Sequence, residues 1–282
     1  MYAAPSLTTL VLVITDGRGR LRPRAGVELA LLALLYVGYS AARLLADGDV
    51  SRAVANANEL LHLEALLRLD VERSANRLLT GAPGLALVAS YWYSALHYLV
   101  TPAVLVWVYR RHALGYRRVR HALVLATATG LAGFVLLPMA PPRMLPGYVD
   151  VLATTSGSGW WGSDASAPKG LGGLTNELAA MPSLHVGWAL WVAWVVFLCT
   201  RNRWLRVAAT AYAAGTTLVV VGTANHYVLD AVAGAVLVAV AVAVTRPRVS
   251  RGSAPRQPAR RQPSAAASSA PRSGRHPVPS AR

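Results

Sequence analysis

Charged side chains are scarce in this chain of 282 residues, at 14%, where an ordinary soluble domain carries about a quarter. The shortage is uneven: charge is absent from long apolar runs and crowded between them, and the mean hydropathy is +0.39. A helix needs roughly 20 apolar residues to cross the hydrocarbon core of a bilayer. The pattern therefore predicts an all-α, polytopic membrane helix bundle. Cysteine occurs once, at Cys199 in an apolar run, which excludes an intrachain disulfide and any cysteine-based zinc site. Cys199 reads as a small packed hydrophobe.

Acidic residues are also few, 12 against 28 Lys and Arg, for a net charge of +16. Nucleic acid is not the implied partner, because the basic residues are placed by segment. Nine arginines lie in 246–282, which has no acidic residue. Its Pro, Ser, Ala and Gly content predicts a disordered tail. Such a tail suits the cytoplasmic face by the positive-inside rule, or an anionic lipid surface.

Apolar runs place six spans at about 26–47, 84–109, 122–140, 183–200, 207–223 and 227–245, after an N-terminal segment of 1–25. The membrane domain is thus 26–245. Four basic stretches, 16–24, 110–121, 201–206 and the tail, hold 21 of the 28 basic residues. They share one side only if the span count is even and both termini are cytoplasmic. Between the first two spans, residues 56–79 carry leucines at helical spacing with charges opposite. That predicts an amphipathic helix at the interface, with Glu59 and Glu64 solvated or paired with nearby arginines. The 141–182 loop then faces outward, and its Trp160 and Trp161 read first as interfacial anchors.

Three short sequences gather at that outer boundary: MAPPRMLPG with Arg143, MPSLHVGW with Ser183 and His185, and GTANHYVLD with His226 and Asp230. His226 and Asp230 are four residues apart, hence on one helical face. A carboxylate there accepts a hydrogen from one ring nitrogen and leaves the other as a nucleophile. His185 is a candidate general acid. Arg143 offers a planar fork for phosphate, and the amides around Ser183 to His185 add an anion site. Ionisable groups at membrane depth are costly and usually functional.

PSLH, followed some forty residues later by HxxxD and preceded by PPR, resembles the type 2 phosphatidic acid phosphatase superfamily. More narrowly, PPRML, MPSLH and NHYVLD resemble its inositolphosphotransferase branch, which includes fungal inositol phosphorylceramide synthases. The resemblance spans about residues 50–245. It implies that His226 attacks phosphorus to give a phosphohistidine, that Asp230 orients it and that His185 protonates the leaving group. Arg143 holds the phosphate, helped by Ser183 and its neighbours, with no metal or other cofactor. Two departures from the superfamily pattern, Val220 in place of an Arg and Leu184 in place of a Gly, are typical of that branch. They leave fewer cations on the phosphate, and Lys169, the only lysine, is a candidate substitute. His97, four residues after Tyr93, either lines the headgroup pocket or makes interhelical hydrogen bonds.

The expected activity is that of a membrane lipid phosphatase or phosphotransferase acting on a lipid phosphate or phosphodiester at the outer face of the cell membrane. Two other classes stay open at this point. His185, His226 and Asp230 also form a 2-His-1-carboxylate set suited to a metal hydrolase, and a non-catalytic protein binding anionic lipid would use the same cations.

Overall fold

The computed structural model describes residues 50–162, 169 and 177–246, with isolated positions between 14 and 38. These lie in one compact unit, Met1–Arg246; Pro247–Arg282 is a second unit, and the expectation of a disordered tail lies outside the described residues. Two short strands, Ile14–Thr15 and Leu21–Arg22, pair antiparallel. Everything else of regular structure among the described residues is helical.

The described positions between 26 and 38 include helical residues, and the remainder of the expected first span lies outside the described residues. Glu28 of that segment pairs with Arg120 and accepts the Tyr116 hydroxyl at 3.0 Å. Next come α1 (Val50–Leu66) and α2 (Glu72–Thr80). The single amphipathic helix expected over 56–79 is therefore two, broken where Arg68 takes a φ of 57°. Residues 83–111 then run without interruption as α3 (Pro83–Tyr91), a π-helical turn (Trp92–Leu96) and α4 (His97–Arg111). Helix α5 is Ala113–Leu136, and a short α6, Val151–Thr155, sits in the long loop that follows. The final three are α7 (Leu184–Cys199), α8 (Arg203–Gly222) and α9 (Val228–Val244).

Local chemistry sets these boundaries. Ser183 caps α7 through the Val186 N–H, and Asn202 caps α8 by accepting from Trp204 and Leu205. Asp150 caps α6 by accepting from Ala153 at 3.0 Å. Each cap satisfies a first-turn amide that lacks an intrahelical partner. Among the described residues, two helical stretches, Gly115–Leu136 and Arg203–Gly222, are long and apolar enough to cross a membrane; Leu184–Cys199 and Val228–Val244 are apolar but shorter.

Helix α7 is central, packing on α4, α5, α8 and α9. Trp191 is fully buried there and donates to the Val119 carbonyl at 3.0 Å, while Trp188 donates to Thr127 Oγ1 at 2.9 Å. A buried indole needs such a partner for its N–H. Among the described residues, large leucines stand exposed on the helices: Leu78, Leu136 and Leu218 are each more than 70% exposed. Glu64, Glu72, Asn76 and Asp230 are buried instead. Helices α1 and α2 thus bury Glu64, Glu72 and Asn76 together with Ala53, Ala57, Leu60 and Leu79, while Leu66 and Leu78 are exposed beside Arg52, Glu59, Arg73 and Arg77. This overturns the solvated or arginine-paired role expected for Glu64, whereas Glu59 is exposed. Trp161, expected as an anchor, is also fully buried, donating to the Leu152 carbonyl at 2.9 Å; Trp160 is the exposed member of the pair.

Candidate active site

Helix α8 ends in a tight turn that presents His226. Ala224 takes a left-handed φ of 57°, and the N–H groups of Asn225 and His226 both donate to the Val220 carbonyl at 3.1 Å. Asn225 Nδ2 donates to Thr223 Oγ1 at 3.0 Å. The loop after α5 joins this turn, because the Arg143 N–H donates to the Ala224 carbonyl at 2.8 Å. Two sequence-distant motifs are tied together through the backbone alone.

His226 is nearly fully buried, and its Nδ1 lies 2.7 Å from the Ala180 carbonyl oxygen and 3.4 Å from Asp230 Oδ2. A carbonyl oxygen only accepts, so Nδ1 carries the ring hydrogen and Nε2 keeps its lone pair. The acceptor that fixes the tautomer is therefore Ala180, with the Asp230 carboxylate behind it. Ala180 is itself held by a short bridge: its N–H donates to the Met139 carbonyl at 3.2 Å, and Met139 donates to Leu178 at 2.8 Å. Tyr227 braces the same strand-like segment by donating its hydroxyl to the Ala140 carbonyl at 2.9 Å.

Asp230 Oδ2 also accepts the Tyr227 N–H at 2.9 Å, one turn back at the start of α9. Its backbone carbonyl accepts the Ser183 N–H at 3.0 Å. That bond needs a very close approach of α7 to α9, which Gly234 permits: a Cβ there would stand 2.2 Å from the Ser183 carbonyl oxygen. Ser183 is fully buried and its own amide is engaged by Asp230, so an anion at this helix start would meet other amides of the turn.

His185, on the first turn of α7, stacks on Tyr93 at 4.5 Å between ring centroids and meets His97 edge-on at 4.4 Å. Its ring lies 5.6 Å from that of His226. Tyr93 lies in the π-helical turn and His97 directly follows it, and such turns re-aim side chains at functional sites. A small cleft opens here, lined by Tyr93, His97, His185, Tyr212, Val219 and Val220. Val220, where the superfamily pattern has an arginine, is fully buried among Val186, Val221 and Ala231.

The guanidinium of Arg143 is gripped by two carboxylates, Nε to Asp150 at 3.1 Å and Nη2 to Glu177 at 3.3 Å. Two of its five N–H donors face acids, and the fork's orientation is fixed. Lys169 is exposed, and its N–H donates to the Trp160 carbonyl at 3.1 Å. Among the described residues, no contact joins its side chain to the histidines. Among the described residues, no group of three or more His, Cys, Asp or Glu is arranged to hold a metal ion. Asp230 Oδ2 faces the same His226 Nδ1 that meets the Ala180 carbonyl.

Several residues that build the site carried no sequence signal as such. Glu72 Oε1 accepts the Val228 N–H at 2.9 Å and Glu64 Oε1 accepts the Leu229 N–H at 2.7 Å. Asn76 Nδ2 donates to the Gly222 carbonyl at 3.0 Å and to Val149 at 2.9 Å. Helices α1 and α2 thus hold both ends of the His226 turn. Their polar positions were visible at helical spacing, but the same periodicity describes a wet face or, inverted, a polar core under lipid.

A helical protein with a buried, oriented histidine beside a carboxylate, a second histidine and a fixed arginine defines the class. The chain belongs to the PAP2 superfamily, whose model matches residues 58–244. Membership carries with it a phosphatase-type function on lipid phosphates. No curated protein and no solved structure matches the chain.

Proposed function

We propose that this protein is a membrane lipid phosphotransferase or phosphatase that works through a phosphohistidine on His226. The observation that carries the reading is the 2.7 Å contact of His226 Nδ1 with the Ala180 carbonyl, which leaves Nε2 as the nucleophilic atom. Nε2 attacks phosphorus, the N–P bond forms and the P–O bond to the leaving group breaks. His185 gives its proton to the departing alkoxide. Water or an alcohol then attacks phosphorus, returning its proton to His185 as the N–P bond breaks.

Arg143 holds equatorial phosphoryl oxygens, since its orientation is fixed before substrate arrives. Amides at the α7 start beyond Ser183 assist, and Lys169 is the candidate for the charge that Val220 does not supply. The cleft at Tyr93 and His97 receives the group next to phosphorus. Transfer to an alcohol, as in the inositolphosphotransferase branch, is favoured by the PPRML, MPSLH and NHYVLD motifs.

In this reading the bundle crosses the cell membrane six times, with both termini and the basic tail cytoplasmic and the site outward. The exposed leucines of α2, α5 and α8 support a lipid setting, because exposed apolar surface of this extent marks contact with another phase. The arginine distribution supports the orientation. Purified protein incubated with labelled lipid phosphates and alcohol acceptors tests the proposal. Free phosphate identifies hydrolysis, a new phosphodiester identifies transfer, and neither product in wild type rejects both.

A further inference from the structure

Three consecutive amides follow His226, and each is met by a carboxylate from a different place. The Tyr227 N–H goes to Asp230 of α9 itself, the Val228 N–H to Glu72 of α2 and the Leu229 N–H to Glu64 of α1, at 2.9, 2.9 and 2.7 Å. A helix start is the positive end of the helix dipole, so acids suit it. Three anions in so small and dry a place repel one another, and an uncompensated buried charge is costly. Glu64 and Glu72 have no exposed surface, and each keeps a second oxygen, Oε2, that meets no donor of another residue. The two side chains are within hydrogen-bonding reach of each other. A proton placed between two neighbouring carboxyl groups turns one of them into a donor for the other.

We propose that Glu64 and Glu72 share a single proton and act as a positioning pair, clamping the first turn of α9 and through it the His226 turn. The pair touches no substrate. It joins the interfacial helices to the reacting histidine, two residues upstream of the clamped amides. Burial pushes the Glu64 carboxyl up to about 8, opposed by the Leu229 N–H and reinforced by the charges of Glu72 and Asp230. The other titratable groups facing the pair are Tyr227 and Tyr148, and Arg73 stands over the Tyr148 ring at 5.3 Å.

The sign of the pH effect follows. Between the ordinary Glu value of 4.5 and about 8, the folded protein holds a proton that the unfolded chain has released. Stability therefore falls as pH rises across that window. Above about 8 the Glu64 carboxyl gives up its proton, the two side chains repel, and the turn that carries His226 loosens. The turnover consequence rests on His226 being the nucleophile; the stability consequence does not.

The test uses the full chain in detergent micelles, following Tm from pH 4.5 to 8.5 and kcat over the same range. Wild type should show Tm falling with pH. Glu64→Gln keeps an oxygen for Leu229 and supplies an N–H to Glu72, so its Tm should be flatter in pH and its kcat should persist past pH 8. Glu64→Ala should lower kcat by roughly 10²-fold with KM little changed, as for a misplaced reacting group. A Glu64→Gln protein with the wild-type Tm slope overturns the shared proton. A folded Glu64→Ala protein with wild-type kcat overturns the positioning role. Should wild type itself show no turnover, the Tm comparison still decides the shared proton, and the functional reading fails separately.

Discussion

His226 is oriented by Ala180, not by an acid alone: Nδ1 is 2.7 Å from the Ala180 carbonyl oxygen and 3.4 Å from Asp230 Oδ2. A backbone carbonyl cannot be mutated away or protonated in the working pH range, so the His226 tautomer survives changes at Asp230. The carboxylate caps α9 through the Tyr227 N–H, and in the proposed mechanism it also stabilises the ring as positive charge develops on it.

That division predicts graded losses at Asp230. Asp230→Asn retains an oxygen for the Tyr227 N–H and leaves the Ala180 contact intact. Its kcat should fall by about 10²-fold, the lower end of a general acid–base or orienting contribution. Asp230→Ala also removes the helix cap, at about 1 kcal/mol of stability. Steady-state kinetics together with thermal denaturation separates the two effects.

Gly234 tests the meeting of α7, which carries His185, with α9, which follows the His226 turn. Any side chain there runs into the Ser183 backbone, with a Cβ at 2.2 Å from its carbonyl oxygen. Backbone cannot rotate away as a side chain can, so Gly234→Ala should cost about 1–3 kcal/mol, as overpacking does. Turnover should fall beyond what the lost folded fraction explains, because α7 and α9 separate at His185 and His226. Wild-type activity per folded molecule would show that the close approach is not needed.

The leucine in the PSLH motif has a structural counterpart. Leu184 packs with Leu131 and Phe134, and a Cβ on Gly130 of α5 would stand 2.5 Å from its Cδ2. Leu184→Ala should cost about 2–5 kcal/mol, and Gly130→Ala should destabilise by crowding Leu184. Combined, the new methyl occupies part of the vacated space, so the double variant should be more stable than the sum of the two losses implies. Strict additivity in denaturation would contradict this pairing.

Orientation is open to a chemical check. Cys199 is the only cysteine, so Cys199→Ala gives a background free of thiols, and Ser158→Cys adds one at an exposed position of the long loop. A membrane-impermeant maleimide should label that thiol in intact cells. Labelling only after the membrane is opened would place the loop inside.

How much of this was legible beforehand differs by residue. Each of the motifs with Arg143, His185 and His226 lies at the edge of an apolar run, and the structure ties two of them by the backbone bond from Arg143 to Ala224 and sets the His185 and His226 rings 5.6 Å apart. Helix ends moved by a few residues where caps such as Ser183 and Asn202 decide them. The roles of Glu64 and Glu72 were not readable: amphipathic spacing fixes which residues share a face, while the surrounding solvent decides whether that face is wet or buried. Ala180 was invisible for a simpler reason, because a carbonyl acts there and every residue has one. The two acids on Arg143, Asp150 and Glu177, lie in an irregular loop whose path no periodicity describes.

The most direct test of the central claim is to trap the covalent intermediate. Wild-type protein mixed with a ³²P-labelled lipid phosphate and quenched within milliseconds should carry label that is stable to alkali and labile to acid, as a phosphoramidate is, and peptide mapping should place it on His226. His226→Ala should carry none and should turn over no lipid. Label on another residue, or lipid turnover retained in the folded His226→Ala protein, would contradict the account.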